Sequence, residues 1–135
     1  MPTPQEYEKI RLLIVEDEAN TRMVIKAVLR QLSIRNVFEA ANGRDGLVEV
    51  VRERPHLVLC DVHMEPVDGL EFLKTLRAMK IEAVKNTPVI FLTADSQQGT
   101  VLFAKQNAAN GYLVKPPSVT SVKARIDQVW PLLKF

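Results

Sequence analysis

The sequence predicts an α/β domain: a doubly wound (βα)5 unit whose five-stranded parallel sheet carries helices on both faces. Three observations predict it. Short apolar runs such as Leu57-Val58-Leu59-Cys60 and Val89-Ile90-Phe91-Leu92 recur along the chain, as expected of strands buried on both faces. Stretches with apolar residues at helical spacing separate these runs, so successive strands are joined by crossovers and run parallel. The run at residues 57–60 closes on Asp61. Aspartate has low strand propensity and is rarely buried without a partner. It therefore marks the carboxyl end of its strand, where open α/β sheets place their ligand sites.

Each element follows in order. Residues 1–9 are polar with two prolines and read as a flexible lead-in to a domain over residues 10–135. Ile10–Val15 is a strand that stops at Glu16-Asp17-Glu18. Asn20 caps a helix through residue 32, with Met23, Ala27 and Leu29 among its core-facing candidates. Asn36–Ala40 is a short second strand. Asn42-Gly43 turns the chain into a helix over Arg44–Glu53, with Leu47, Val50 and Val51 inward. Pro55 ends that helix before the strand that carries Asp61.

His63–Gly69 is a loop, and Leu70–Lys80 a helix with Leu70, Leu73, Leu76 and Arg77 spaced by three or four. Asn86-Thr87-Pro88 turns into the strand Val89–Thr93. Gln97–Asn107 is helical, and Asn110-Gly111 stops it. Tyr112–Val114 is a short strand ending at Lys115-Pro116-Pro117. Ser118 caps the last helix, whose stripe is Val119, Val122, Ile126, Val129 and Leu133; Pro131 ends or kinks it.

Composition bounds the function. The chain has 135 residues, 47% hydrophobic and 25% charged, enough for a full core. A net charge of +2 is too small to imply a nucleic-acid or membrane partner. Arg30, Arg35, Arg52 and Arg54 are interspersed with acids and read as a solvated face. Cys60, the sole cysteine, excludes an internal disulfide and reads as a small buried hydrophobe. Met23, Met64 and Met79 read as packing residues. The first ten residues lack the apolar core of a signal peptide, and no apolar run approaches the ~18 residues of a membrane span. The expectation is a soluble, cytoplasmic protein.

The chemistry-bearing residues fall at one kind of place. Glu16 and Asp17 follow the first strand, Asp61 ends the third, Thr93 ends the fourth and Lys115 follows the fifth. A parallel sheet gathers these strand ends into one crevice. Three crowded carboxylates repel unless a cation joins them, and an all-oxygen set suits Mg²⁺. Lys115 offers a mobile positive charge and Thr93 a hydroxyl. Together these are the parts for phosphoryl transfer onto an aspartate.

The pattern Val15-Glu16-Asp17, Asp61, Thr93-Ala94 and Lys115-Pro116 resembles the receiver domain of two-component response regulators, of the CheY type within the flavodoxin-like folds. The resemblance covers essentially residues 10 to 133. It implies that Asp61 is the phosphoacceptor, taking its phosphoryl group from a histidine kinase or phosphotransfer protein. It implies a Mg²⁺ site made by Glu16, Asp17, Asp61 and the backbone carbonyl of His63. Thr93, Ala94 and Lys115 would contact the phosphoryl group, Thr93 and Tyr112 would form the switch, and His63, Asp95 and Pro116 would flank and tune the site. The Lys115–Pro116 bond is cis in typical members. Three departures stand out: Glu65 replaces a usual proline, which comes one later as Pro66; the segment around Lys80–Asn86 is slightly long; and Pro117 follows Lys115-Pro116 where an aromatic or aliphatic residue is common.

The resemblance also implies a switch with only self-phosphorylation and dephosphorylation chemistry. Its output surface would be the Gln97–Asn107 helix, the Tyr112–Val114 strand and the last helix, controlling a downstream protein or a dimer mate. Val101, Leu102 and Phe103 form an apolar run that one helix face cannot bury, and mark that surface. The chain is either a stand-alone receiver or a receiver piece of a larger regulator or hybrid kinase. An Asp-nucleophile phosphatase is the alternative from another class; against it, His63 stands where a second aspartate would be needed.

Overall fold

Five strands, β1 (Arg11–Val15), β2 (Asn36–Ala40), β3 (Leu57–Asp61), β4 (Val89–Thr93) and β5 (Gly111–Val114), pair in parallel in the order β2-β1-β3-β4-β5. The structure is a computed structural model that describes residues 2–94 and 109–135. Among the described residues the helices are α1 (Pro4–Tyr7), α2 (Ala19–Gln31), α3 (Gly43–Glu53), α4 (Gly69–Arg77), α5 (Glu82–Lys85) and α6 (Val119–Val129), the last running into a 3-10 turn at Trp130–Leu132. The helix expected over Gln97–Asn107, its Val101-Leu102-Phe103 run and Asp95 lie outside the described residues.

The period of two along a strand sorts the core. Leu12, Ile14, Leu57, Leu59, Ile90 and Leu92 face one side, against Ile25, Val28 and Leu29 of α2 and Val122, Ile126 and Val129 of α6. Leu13, Val15, Val58, Cys60, Val89 and Phe91 face the other, against Val50 of α3 and Phe72, Leu73 and Leu76 of α4. The interior strands β3 and β4 are buried along their whole length, and the parallel sheet has its carboxyl ends at one edge.

The helices depart from the sequence reading in register. α2 begins at Ala19, leaving Asn20 inside it, and Met23 is 68% exposed with Ala27 also on the outside. The stripe that meets the sheet is Ile25, Val28, Leu29 and Leu32, an uninterrupted i, i+3, i+4, i+7 set that buries more apolar surface than the one expected. In α3, Val50 is buried and Leu47 partly so, but Val51 is exposed, because Gly43 and Gly46 form the buried face. α4 ends at Arg77 instead of Lys80, and the long connection after it folds into α5. The Arg77 guanidinium explains its place in an apolar stripe. It donates to the carbonyls of Lys85 (2.8 Å) and Thr87 (2.7 Å) and to Asn110 Oδ1 (3.0 Å), tying α4, α5 and the approach to β5 together.

Where a lead-in was expected, residues 4–7 form α1. Thr3 and Glu6 close a reciprocal capping box around Pro4, and Tyr7 is buried against the core. At the other end Ser118 caps α6, as its position suggested, and Pro131 lies in the 3-10 turn that ends it.

Candidate functional site

Strand register assembles the site. Val15 pairs with Cys60, so Glu16, the next residue, lies level with Asp61. Asp61 pairs with Leu92 and Thr93 with Val114, which puts Thr93 and Lys115 one step further along the same edge. The ladder extends just past the strand ends: Glu16 N–H donates to the Ala40 carbonyl (3.0 Å) and Lys115 N–H to the Thr93 carbonyl (2.8 Å). Four side chains separated by up to about a hundred residues are thereby fixed at one edge by backbone hydrogen bonds.

Lys115 holds the centre. Its ammonium donates to Glu16 Oε1 at 2.5 Å and lies 3.3 Å from Asp61 Oδ1. Glu16, Asp61 and Thr93 are buried polar residues, so this contact offsets the cost of removing the two carboxylates from water. Burial by itself would lower the Lys115 pKa, but the hydrogen bond to Glu16 and the charges of Asp61 and Glu16 outweigh it and hold the ammonium above its ordinary range.

Asp17 is exposed at the mouth of the site. Its carboxyl is held above the ordinary range by its hydrogen bond with Glu16, then by burial and by the Glu16 charge. One carboxylate oxygen from each of Glu16, Asp17 and Glu18 lies within 4.8 Å of the others. A crowded all-oxygen donor set that raises a carboxyl pKa fits a hard divalent cation such as Mg²⁺, which would relieve the repulsion. Glu18 was visible in the sequence as the third acid of the run, but only its two predecessors were assigned. It precedes α2 as its N-terminal boundary residue and makes no side-chain capping bond.

The loop after β3 is pinned beneath this edge. Gly69 opens α4 with its N–H on the Val62 carbonyl (2.9 Å), and a Cβ there would meet the Asp61 carbonyl oxygen at 2.2 Å. Asp68 caps α4 by accepting from Glu71 N–H (2.8 Å), and Met64 is buried as a packing residue. Asp17, His63, Met64, Glu65 and Asp68 line a cleft of about 520 Å³ beside the carboxylates. His63 and Ala94 are exposed, Tyr112 is half-buried, and both Lys115–Pro116 and Glu65–Pro66 are cis. The Arg125 guanidinium lies 5.8 Å from the centre of the Tyr112 ring and donates to the Tyr112 carbonyl (2.9 Å). The Cys60 thiol is fully buried, and burial followed by the charges of Asp61, Glu16 and Asp68 pushes its pKa well up, so it stays a neutral packing group.

The model of the response regulator receiver domain matches residues 12–127. The chain belongs to the response regulator receiver family. A probable chemotaxis protein CheY of Rhizobium etli is 34% identical over 127 residues, covering 94% of this chain and 97% of that protein. The chemotaxis protein CheY-3 of Vibrio cholerae is 31% identical over 126 residues, 93% of this chain and 95% of the relative. A putative response regulator from Chloroflexus aurantiacus superimposes with a TM-score of 0.82 at 27% identity, covering 90% of this chain and 98% of that one. As a receiver domain the chain is a signalling module of two-component systems and not a metabolic enzyme, which sets the phosphatase alternative aside. Receiver domains bind Mg²⁺ and work with histidine kinases and downstream effectors. Among the described residues no helix is long and apolar enough to cross a membrane.

Proposed function

We propose that this receiver accepts its phosphoryl group on Asp61, from a histidine kinase or phosphotransfer protein in the cytoplasm. The observation that carries the reading is the Lys115 ammonium held between Glu16 and Asp61. A carboxylate oxygen of Asp61 attacks phosphorus as the bond to the donor's imidazole nitrogen breaks, giving an acyl phosphate and a free imidazole. Lys115 and the Thr93 hydroxyl, with Ala94 beside them, stabilise the phosphoryl oxygens as charge develops on them. Glu16, Asp17, Asp61 and the His63 carbonyl would hold Mg²⁺. When bound, the ion would neutralise charge on the phosphoryl oxygens.

The phosphorylated domain switches through Thr93 and Tyr112, and the surface from Gln97–Asn107 across β5 to α6 then controls a downstream protein or a second copy. His63, Asp95 and Pro116 flank the acyl phosphate and tune its lifetime, which the domain shortens by assisting its own hydrolysis. The domain spans residues 10–135.

The test is intact mass after incubation with acetyl phosphate, with and without Mg²⁺, on wild type and Asp61→Asn. The reading expects a Mg²⁺-dependent gain of one phosphoryl group that the variant lacks while remaining folded. Wild-type uptake by the variant would refute it.

A further inference from the structure

The loop that carries the acidic residues is held at its start by one arginine side chain. Arg22 Nη1 donates to the main-chain carbonyl of Glu16 at 2.6 Å. The Arg22 backbone N–H donates to the Glu18 carbonyl at 3.0 Å as the opening i→i−4 bond of α2, independent of the side chain. The guanidinium is itself anchored: its Nε donates to Glu39 Oε1 on the edge strand β2 at 3.1 Å, and Lys26 Nζ holds the other oxygen of Glu39 at 3.0 Å. The Arg22 side chain is only 20% exposed. The contact falls between the end of β1 and the start of α2. The Glu16 N–H is the last rung between β1 and β2, and α2 starts without a side-chain cap. Within the loop Glu18 N–H donates to Glu16 Oε2 at 3.3 Å, and the Asp17 carboxyl is hydrogen-bonded to Glu16.

We infer that Arg22 is a positioning residue: by tying the Glu16 carbonyl to Glu39 it holds the Glu16–Glu18 loop in the conformation that presents its carboxylates to Mg²⁺. This inference rests on the Mg²⁺-binding role given to that loop above. The guanidinium suits the task because its fixed fork reaches a carbonyl on one side and a carboxylate on the other; a lysine offers a single point charge. Groups that orient metal ligands from behind typically change metal affinity by about ten- to a hundredfold when removed.

Charge and position make opposite predictions here, which makes the test sharp. Removing a cation beside an acidic site should, by charge alone, tighten the binding of another cation. Loss of a positioning contact should weaken it. The experiment is calorimetric titration of MgCl₂ into wild type, Arg22→Met and Arg22→Lys, with urea unfolding of each and acetyl phosphate uptake by mass. Positioning predicts Mg²⁺ affinity about tenfold weaker in Arg22→Met, and intermediate in Arg22→Lys. It also predicts that uptake in both recovers at high Mg²⁺.

Unchanged or tighter Mg²⁺ binding in a folded Arg22→Met protein overturns the inference, even if its urea midpoint falls. Should Arg22→Met fail to fold, Arg22→Lys decides by the same criterion, since it keeps the charge and loses the fork. Wild type that binds Mg²⁺ but takes up no phosphoryl group would sink the Asp61 reading and leave the role of Arg22 standing.

Discussion

The Tyr7 hydroxyl donates a hydrogen bond to Asp127, joining the first helix to the last across nearly the whole chain. Lys123 completes the contact at 2.7 Å from the second Asp127 oxygen, and the Tyr7 ring meets Trp130 edge-on with centroids 5.8 Å apart. The clasp lies beyond the amino ends of the strands, at the opposite sheet edge from the carboxylates.

Tyr7 should therefore contribute to stability and not to phosphoryl chemistry. Tyr7→Phe removes one hydrogen bond and should cost about 1 kcal/mol. Tyr7→Ala also empties a buried aromatic position and should cost about 3 kcal/mol. Urea unfolding measures both, and acetyl phosphate uptake should match wild type. A silent Tyr7→Ala would mean that the first residues are only a lead-in.

His56 introduces a pH dependence. Its Nδ1 accepts from the Arg11 N–H at 2.9 Å, which requires the unprotonated nitrogen. Burial, followed by the Arg11 charge, lowers its pKa below the ordinary value. An unfolded chain then binds more protons than the folded one as pH falls below about 6.5. The His56 contribution is complete above that pH and is lost as pH falls from there through the lowered folded-state pKa. His56→Asn keeps an acceptor that does not titrate, so urea midpoints between pH 7.5 and 5.5 should fall less steeply for the variant. Parallel curves would remove His56 from the account.

Two glycines give a paired test of crowding. A Cβ on Gly69 would strike the Asp61 carbonyl oxygen at 2.2 Å, whereas one on Gly111 has no described neighbour nearer than 3.8 Å. Gly69→Ala should cost about 1–3 kcal/mol and slow phosphoryl uptake by displacing the end of β3. Gly111→Ala should stay within about 0.5 kcal/mol of wild type. Equal effects at the two sites would contradict the close approach at Asp61.

Lys115→Met leaves Glu16, which is 0% exposed, without its cation. Breaking a buried pair from one side should cost about 3 kcal/mol in Mg²⁺-free buffer. Added MgCl₂ should recover part of that loss, because an ion bound only by the folded state stabilises it. No recovery would argue that the acids do not gather around a cation.

Much of this was legible in the residues because it depends on near neighbours. The runs at Leu57–Asp61 and Val89–Thr93 are strands with those bounds, since a strand buried on both faces shows as an unbroken apolar stretch, and the half-exposed edge strand Asn36–Ala40 also keeps its expected bounds. The edge at which Glu16, Asp61, Thr93 and Lys115 gather followed from parallel order alone. Met23 was misread because helical spacing admits more than one stripe, and only packing selects Ile25, Val28 and Leu29. Arg22 carried no local signal, as its anchor Glu39 lies on the distant β2 and its other partner is the main-chain carbonyl of Glu16, just past β1. α1 did have a local signal in the Thr3–Glu6 capping box, but a four-residue helix has no apolar period, and Tyr7 meets its partners Asp127 and Trp130 at the far end of the chain.

The sequence by itself determined the strand-helix alternation, the parallel sheet and the residue types at its carboxyl edge, because periodicity and strand-terminal polarity are local properties of the chain. Tertiary structure alone decided that Lys115 bridges Glu16 and Asp61, that Arg22 grips the acidic loop, and that Tyr7 closes on α6. Those choices rest on distances between segments remote in sequence, which are fixed only once both faces of the sheet have been packed.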